Sequence, residues 1–357
     1  MSPQRLLEAC WWGRRHAWLA VALAPLAALH GLLSALRRTA YAAGILARER
    51  LPVPVVVVGN LVVGGAGKTP TTLALVRGLR AAGWNPGVVS RGYGGTSREP
   101  QAVLAGSDPH RCGDEPLLIM RRTGAPVWVG ADRASAGRAL LACHPEVDVI
   151  VADDGLQHLR LEREVEVIVV DERGLGNGLL LPAGPLRSRP GRTAPPGAVV
   201  VYNAERPPLA WPGFVVRRGL GPPVPLPLWW RGEAPAAARS WPSCDEPLPA
   251  AAGLAEPERF FRMLEAAGLR IRRLPLSDHA DWHSVPWAPG ATPVLVTEKD
   301  AVKLPPTHPD AGRIWVVPLD FELPAAALAR VLERLPEGPN PRGGSAPQPP
   351  IRPDPSP

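Results

Sequence analysis

Lysine is nearly absent from this chain of 357 residues, which has 37 arginines but only three lysines, Lys68, Lys299 and Lys303. Cysteine is also scarce, and the four cysteines lie far apart with no CxxC pair. This spacing excludes a disulfide framework and a cysteine-based zinc site, and it is typical of a reducing compartment. The lysines stand in two places, and at one of them, the glycine-rich stretch around Lys68, an ammonium is not interchangeable with a guanidinium. For Lys299 and Lys303, the alternative is that these lysines are present by chance and have no specific role.

Most of the chain also lacks a strong excess of one charge. The net charge is +7, but residues 1–50 hold seven arginines against two glutamates, so the rest of the chain is nearly balanced. We therefore do not expect the protein to bind nucleic acid. Basic charge beside an apolar stretch predicts contact with an anionic membrane surface instead.

Formal charge is missing altogether from residues 17–36, a run of twenty residues. Arg14 and Arg15 precede this run, and Arg37 and Arg38 follow it. Its length is about that of a helical membrane span, and tryptophans cluster at its start as they do at bilayer interfaces. A basic pair stands where a cleavage site would lie, which argues against a signal peptide. We expect a membrane-seated helix, inserted or lying in the interface, with a buried core helix as the alternative.

The body of the chain alternates short apolar runs with helical stretches. This pattern predicts an α/β fold, with a parallel sheet that has helices on both faces. The predicted strands are 53–58, 87–90, 147–152, 165–170 and 198–202, with a later pair at 293–297 and 314–318. The predicted helices are 70–82 and 257–267.

Changes in composition divide the chain into four parts. We predict an N-terminal membrane-associated segment (1–50), a nucleotide-binding α/β domain (51–215), a smaller C-terminal α/β domain (216–336) and a disordered proline-rich tail (337–357). Residues 205–250 are rich in proline and tryptophan without a clear period, so we expect an irregular connection with one strand at 227–231.

A glycine-rich stretch, GNLVVGGAGKTP (59–70), follows the first strand and opens a helix. This is the context that a phosphate-binding loop requires, with backbone amides and the helix N-terminus directed at phosphate oxygens. Lys68 is expected to reach the β- and γ-phosphates, and the Thr69 hydroxyl to bind Mg²⁺. The usual spacing has glycine where this chain has Val62. The predicted ATP-binding residues are Val62, Val63, Gly64, Gly65, Ala66, Gly67, Lys68 and Thr69.

Two acidic residues, Asp153 and Asp154, end an apolar strand. A carboxylate there lies beside the phosphate loop in a parallel sheet and is suited to hold the metal. The alternative is that one of the two merely caps a helix.

Phosphoryl transfer to an alcohol also needs a carboxylate that accepts the hydroxyl proton. The segment RCGDEP (111–116) offers Asp114 and Glu115. Arg91 follows the second strand and is suited to stabilise phosphoryl charge, and Tyr93 is suited to contact substrate. Asp114 as a helix cap and Arg91 as an ordinary ion-pair partner are the alternatives.

In series, these motifs resemble the tetraacyldisaccharide 4′-kinase family. The resemblance runs from about Val53 to Leu304, and its most specific stretches are SRGYGG, GDEP, DDGLQH and LLPAGPLR, with LSDH and LVTEKDAVKL late in the chain. It implies a P-loop kinase whose larger nucleotide domain and smaller C-terminal domain flank a cleft. The implied reaction transfers the γ-phosphoryl group of ATP to the 4′-hydroxyl of a tetraacyldisaccharide 1-phosphate, a lipid A precursor. The implied location is the cytoplasmic face of the inner membrane.

The resemblance also implies residue roles. Asp114 acts with His279 of LSDH as the base, supported by Lys68 and Arg91. The residues expected at the substrate are Tyr93, Glu115, Gln157 and Asn177. The chain departs from the family at Ser188, where glutamate is usual, which puts any role of that glutamate in doubt.

Two other functions fit parts of the pattern. A membrane-associated P-loop NTPase acting as a hydrolytic switch predicts a residue that positions water and no carboxylate reserved for substrate. Val63 stands where one subclass of such switches has lysine, which argues against that subclass. A nucleotide-binding scaffold without turnover predicts that replacing Asp114 changes little beyond stability.

Overall fold

The computed structural model describes residues 3–13, 16–92, 99–233, 241–242, 244–278, 282 and 285–336. Its helices are α1 (Pro3–Trp12), α2 (Ala17–Ala42), α3 (Lys68–Ala81), α4 (Pro109–Cys112), α5 (Asp114–Thr123), α6 (Arg133–Cys143), α7 (Leu226–Arg231), α8 (Pro257–Ala266), α9 (Glu298–Ala301) and α10 (Ala325–Leu332). Its strands are β1 (Val55–Gly59), β2 (Pro86–Ser90), β3 (Gln101–Ala102), β4 (Val127–Val129), β5 (Val149–Asp153), β6 (Val165–Asp171), β7 (Val199–Asn203), β8 (Phe214–Val215), β9 (Arg217–Leu220), β10 (Val224–Pro225), β11 (Leu248–Ala252), β12 (Ile271–Pro275), β13 (Val294–Thr297), β14 (Ile314–Val317) and β15 (Leu319–Glu322).

The apolar N-terminal run forms helix α2, which has a mean hydropathy of 2.0 over its most apolar window, with 11% of that window buried. At about 1.5 Å per residue it is longer than the hydrocarbon core of a bilayer. Its buried residues are Ala20 and Ala27, whose small side chains allow close packing on the protein body. The buried core helix is therefore not what forms. Arg14 and Arg15 lie outside the described residues.

The larger sheet has eight strands in the order β3-β4-β2-β5-β1-β6-β7-β8. All neighbours are parallel except the edge pair β3–β4. The five strands predicted between residues 53 and 202 are confirmed, with ends that differ by one or two residues. These strands are buried on both faces, as their continuous runs of valine and isoleucine predict. Their carboxyl ends share one edge, where the phosphate loop follows β1.

The five-stranded sheet has the order β10-β14-β13-β11-β12, and β10 is its antiparallel edge. The predicted helix at 257–267 and the strands at 293–297 and 314–318 are confirmed as α8, β13 and β14.

The strand predicted at 227–231 is wrong, because residues 226–231 form helix α7. Leu226 and Trp229 are its buried residues, and their spacing of three is helical rather than alternating. The prediction that 205–250 is irregular also missed β11, whose sequence LPAAA consists mostly of residues with low strand propensity. Tertiary burial of all five β11 residues decides their conformation.

Strands β9 and β15 pair as a two-stranded antiparallel ribbon. Strand β9 lies in the segment that leads from the larger sheet to the five-stranded sheet, and β15 follows the five-stranded sheet's last strand, β14. Helix α10 follows this ribbon and returns to the larger sheet, where it contacts α3 and β7. The chain therefore crosses between the two sheets twice.

Candidate active site

The phosphate loop joins β1 to α3, and Gly67 is the residue that caps α3. Gly67 has φ of 93°, and a Cβ built on it would lie 2.3 Å from Nδ2 of Asn203. Glycine is therefore required here for two reasons, the left-handed backbone and the close approach of β7.

Side chains hold three successive carbonyl groups of this loop. Asn60 Nδ2 donates to the Gly64 carbonyl at 3.3 Å, and Asn203 Nδ2 donates to the Ala66 carbonyl at 3.0 Å. Between them, the Gly65 carbonyl accepts from Arg173 Nη2 at 3.1 Å. With the carbonyl oxygens engaged in this way, the amide groups are left to form an anion-binding concavity.

Val62 and Val63 lie at the start of the loop and attach it to the segment that follows β6. Val62 is buried and forms a β-bridge with Leu186. Val63 N–H donates to the Pro185 carbonyl at 2.9 Å. The contacts described for these two valines therefore hold the base of the loop in place.

Asp153 ends β5, directly beside Val58 of β1, so the register of the sheet brings it to the loop. Its carboxylate accepts from Thr72 Oγ1 at 2.8 Å and from Ser90 Oγ at 3.5 Å. Burial, and then the neighbouring charge of Glu115, raise the pKa of Asp153 to about 7. Because burial disfavours the ionised form of this carboxylate, a cation beside it is stabilising.

Asp154 has a positive φ of 49° and contacts a different set of side chains from Asp153. Arg187 Nη1 donates to both of its carboxylate oxygens, at 2.8 and 3.0 Å, and Lys68 Nζ lies 3.9 Å away. Burial raises the pKa of Asp154, but Lys68 and Arg187 outweigh burial and lower it below its ordinary value. Asp154 is thus held ionised next to the loop lysine.

Asp114 and Glu115 form the first turn of α5. Asp114 is 4% exposed, and its Oδ1 accepts from the N–H of Glu115 at 2.9 Å. Its Oδ2 lies 3.2 Å from Nζ of Lys303 and 4.0 Å from Nζ of Lys299. The GDEP carboxylates therefore face two ammonium groups from the other side of the cleft.

Lys299 connects three carboxylates, since its Nζ also lies 2.8 Å from Asp278 and 3.1 Å from Glu115. Burial lowers the pKa of Lys299, but the charges of Glu115, Asp114 and Asp278 raise it above its usual value. The side chain is therefore a fixed cation.

Lys299 and Lys303 are functional candidates to which the motifs assigned no role. The signal available in the sequence was their rarity, because every other basic residue outside the phosphate loop is arginine.

The residue before Lys299 binds the opposite end of α5. Glu298 is buried and forms an ion pair with Arg122 near the C-terminus of α5. It also accepts from Trp229 Nε1 at 3.2 Å and from the Leu319 N–H at 3.2 Å. Two adjacent residues of opposite charge thus bind both ends of one helix.

The other predicted site residues occupy different surroundings. Arg91 follows β2 and is exposed. Gln157 donates to the Asn60 carbonyl at 3.0 Å, and its Oε1 accepts from Arg187 at 3.3 Å. Asn177 donates to the Ala183 carbonyl at 2.9 Å and to the Cys10 carbonyl at 3.3 Å. Tyr93 and His279 lie outside the described residues.

A cleft separates the phosphate loop from the five-stranded sheet. Gly67, Lys68 and Thr69 line one side, and Glu115 and Lys299 lie on its wall. Its lining, which comes from both sides, fits a nucleotide beside an acceptor.

Among the described residues, no three His, Cys, Asp or Glu side chains converge as a metal centre. Mg²⁺ in phosphotransferases is held by one or two protein oxygens together with substrate phosphates and water. The Thr69 hydroxyl and the buried carboxylate of Asp153 supply oxygen ligands of that kind, and Asp154 lies next to them in sequence. The site therefore fits Mg²⁺ bound jointly with nucleotide.

Comparisons with known proteins show the family of this chain. The family model described as tetraacyldisaccharide-1-P 4′-kinase matches residues 19–336. The chain is 53% identical over 321 residues to the tetraacyldisaccharide 4′-kinase of Leptothrix cholodnii, covering 88% of this chain and 92% of that protein. It is 52% identical over 326 residues to the enzyme of that name from Methylibium petroleiphilum, covering 89% and 90%.

A solved structure shares the fold. It is the "apo" form of LpxK from Aquifex aeolicus in complex with ATP, with a TM-score of 0.72 and 25% sequence identity. The similarity covers 89% of this chain and 99% of that one.

Proposed function

The chain belongs to the tetraacyldisaccharide 4′-kinase family, and we propose that it transfers phosphate in the cleft between the phosphate loop and helix α5. It is an ATP-dependent kinase of lipid A biosynthesis. The acceptor that we propose is the 4′-hydroxyl of a tetraacyldisaccharide 1-phosphate. The observation that carries this assignment is that Glu115, the residue after the buried Asp114, lines the same cleft as Lys68 and Thr69.

The loop holds the triphosphate of ATP. Its amides and the N-terminus of α3 supply hydrogen bonds and partial positive charge. Lys68, which lies 3.4 Å from the Gly64 carbonyl and 3.9 Å from Asp154, is already directed along the loop. Its ammonium group is proposed to contact the β- and γ-phosphates. Arg91, at the exposed end of β2, is proposed to neutralise charge on the transferred group.

Asp114 is the proposed general base. Its carboxylate accepts the acceptor's hydroxyl proton as the oxygen attacks the γ-phosphorus. The ammonium group of Lys303, at 3.2 Å, favours the ionised carboxylate that can accept this proton. His279 is proposed to act with Asp114, and it directly follows Asp278, which Lys299 draws towards α5.

Glu115 and Tyr93 are proposed to contact the acceptor. Gln157 and Asn177 are also proposed for acceptor binding, through the walls that their amides hold in place. The division of the chain into domains 51–215 and 216–336, with the cleft between them, is part of the same proposal.

Mg²⁺ is the proposed metal cofactor, held by Thr69 and by the pair Asp153 and Asp154. When bound, it neutralises charge on the β- and γ-phosphates. Thr72 and Ser90 orient the Asp153 carboxylate, and Arg187 fixes Asp154.

The inner-membrane surface, on its cytoplasmic face, is the proposed location. Helix α2 exposes a series of large apolar side chains that water solvates poorly. They are Trp18, Val21, Leu26, Leu29, Leu32, Leu33 and Leu36. A substrate with four acyl chains remains in the bilayer, so the active site has to lie beside it.

The test is phosphate transfer from γ-labelled ATP in detergent micelles with Mg²⁺, with and without tetraacyldisaccharide 1-phosphate. We expect label in the lipid and little free phosphate in tubes without lipid. Free phosphate released at one rate with or without lipid contradicts the proposal and identifies a hydrolytic switch.

A further inference from the structure

The guanidinium of Arg173 contacts three parts of the protein at once. It lies two residues beyond Asp171 at the end of β6, and its Nε donates to the buried Asp171 carboxylate at 2.9 Å. From this fixed base it reaches the phosphate loop, the N-terminal helix and the segment before helix α8.

The contact with the phosphate loop is a hydrogen bond from Arg173 Nη2 to the Gly65 carbonyl at 3.1 Å. A Cβ built on Gly64 would also lie 3.6 Å from Nη1, so the guanidinium covers the back of two consecutive loop residues. The direction of the Gly65 carbonyl fixes the direction of the next amide, because the peptide group is planar. Arg173 therefore helps to set where loop amides point.

The contact with the N-terminal helix is a cation–π interaction, with Arg173 Cζ 4.3 Å from the centroid of Trp12. Trp12 is held in this position by its neighbours in α1. Trp11 Nε1 donates to the Pro182 carbonyl at 3.0 Å, and the Trp11 carbonyl accepts from the Asn177 N–H at 2.9 Å. Helix α1 is thus docked on the same segment that supports the loop.

The third contact joins Arg173 to the five-stranded sheet. Its Nε lies 2.8 Å from Oε1 of Glu256, the residue that immediately precedes α8. Ala255 also lies against the loop, since a Cβ built on Gly65 would be 3.3 Å from its own Cβ. The same guanidinium therefore contacts both the phosphate loop and the segment that leads from the five-stranded sheet to α8.

We propose that Arg173 is a positioning residue of the nucleotide site, which couples the docking of helix α1 and of Glu256 to the conformation of the phosphate loop. This inference rests on the proposed nucleotide site. A planar group with several donors is needed, because one ammonium group cannot stack on Trp12 while bonding Gly65, Asp171 and Glu256. Nucleotide affinity then depends on Trp12 through its contact with Arg173.

The experiment measures the affinity for a fluorescent ATP analogue, without lipid acceptor, for wild type and for R173K, R173M, W12L, W12F and E256Q. The matched control is R231M, an exposed arginine on α7. Thermal unfolding of the nucleotide-free proteins identifies any variant that fails to fold.

We expect R173K and R173M to weaken binding by about tenfold or more, because a charge-assisted hydrogen bond to the loop is lost. W12L is expected to weaken it by about threefold to tenfold, the range of a partly desolvated cation–π contact. W12F retains an aromatic face and is expected to bind the analogue nearly as tightly as the wild type. E256Q is expected to fall between wild type and R173K, and R231M to bind as wild type.

The decisive comparison is the double variant W12L/R173M. Coupling through Arg173 predicts that it binds no more weakly than R173M alone. Multiplication of the two single effects, or wild-type affinity in W12L, overturns the coupling. Failure of the wild type itself to bind the analogue overturns the proposed nucleotide site instead, so the two failures are distinguishable.

Discussion

Lys303 places its Nζ 3.2 Å from Oδ2 of Asp114, so the carboxylate at the start of α5 is paired with an ammonium from the other side of the cleft. The lysine lies just beyond α9, and 189 residues of chain separate the two groups. The Asp114 carboxylate therefore has this partner only when the two sheets are correctly placed.

Replacing Lys303 by methionine removes this ammonium group and keeps most of the side-chain length. We expect kcat to fall by about 100-fold, because the base loses its orientation and the charge that favours its ionised form. The affinity for ATP should change little, since Lys303 contacts α5 rather than the phosphate loop. Steady-state kinetics with a separate nucleotide-binding measurement check both parts, and wild-type kcat in K303M contradicts the pairing.

Asp114→Ala removes the proposed base itself. Turnover is expected to drop by about 100- to 10,000-fold, the usual contribution of a positioned proton acceptor. Nucleotide affinity should stay nearly intact. Normal turnover in this variant would contradict the assignment of Asp114 as the general base.

Lys68→Ala tests the other side of the cleft. It is expected to abolish measurable transfer and also to weaken ATP binding, because the ammonium contacts phosphates in both the bound and the reacting state. Lys68→Ala and Asp114→Ala are therefore expected to differ in their affinity for ATP. Titration of a fluorescent nucleotide distinguishes the two, and equal affinities in both variants contradict the assigned roles.

His158 gives a prediction about pH and stability. Burial, and then the charge of Arg133, lower the pKa of His158 to about 4. The unfolded chain therefore binds a proton at His158 below about pH 6.5, while the folded protein does not until about pH 4. This lowers the free energy of unfolding progressively as pH falls through that window, by about 2 kcal/mol near pH 4.5.

The His158→Gln variant should lose less stability than the wild type between pH 7 and pH 4.5, measured by urea denaturation. His144→Gln is the matched control, because the side chain of His144, which lies beside Glu146, is more exposed than that of His158. Equal pH dependence in the wild type and H158Q contradicts the prediction.

The exposed apolar face of α2 predicts membrane binding. Changing Leu32 and Leu36 together to aspartate should reduce cosedimentation with anionic vesicles by about tenfold or more, since each change removes apolar area and adds repulsion. The free energy of unfolding should hardly change, because both leucines are more than half exposed. Leu104→Asp, at an equally exposed position after β3, is the control, and unchanged cosedimentation of the double variant rules this face out.

Much of the larger sheet was predictable because its strands are uniform β-branched runs buried on both faces. Val55–Gly59 and Val165–Asp171 form strands on local preference and burial alike. Prediction failed where these two disagreed. Leu226–Arg231 is a helix in a proline- and tryptophan-rich stretch, and Leu248–Ala252 is a strand made largely of alanine.

The phosphate loop and the acids Asp114, Asp153 and Asp154 were predictable because their chemistry depends on residue type and on short spacings. Partners supplied from a distance were not. Arg173 is separated from Gly65 by 108 residues, and Lys299 from Glu115 by 184. Only the approach of separate strands and helices makes these pairs.

By itself, the sequence determined the class of chemistry. A glycine-rich loop after a buried strand, a lysine kept among arginines and carboxylates at strand and helix ends are local features, and together they indicate a site for nucleotide phosphates. The tertiary structure alone decided which cations hold which carboxylates and how helix α1 reaches the phosphate loop. The reason is physical, because ion pairs and cation–π contacts act over a few ångströms, and folding sets those distances between segments far apart in the chain.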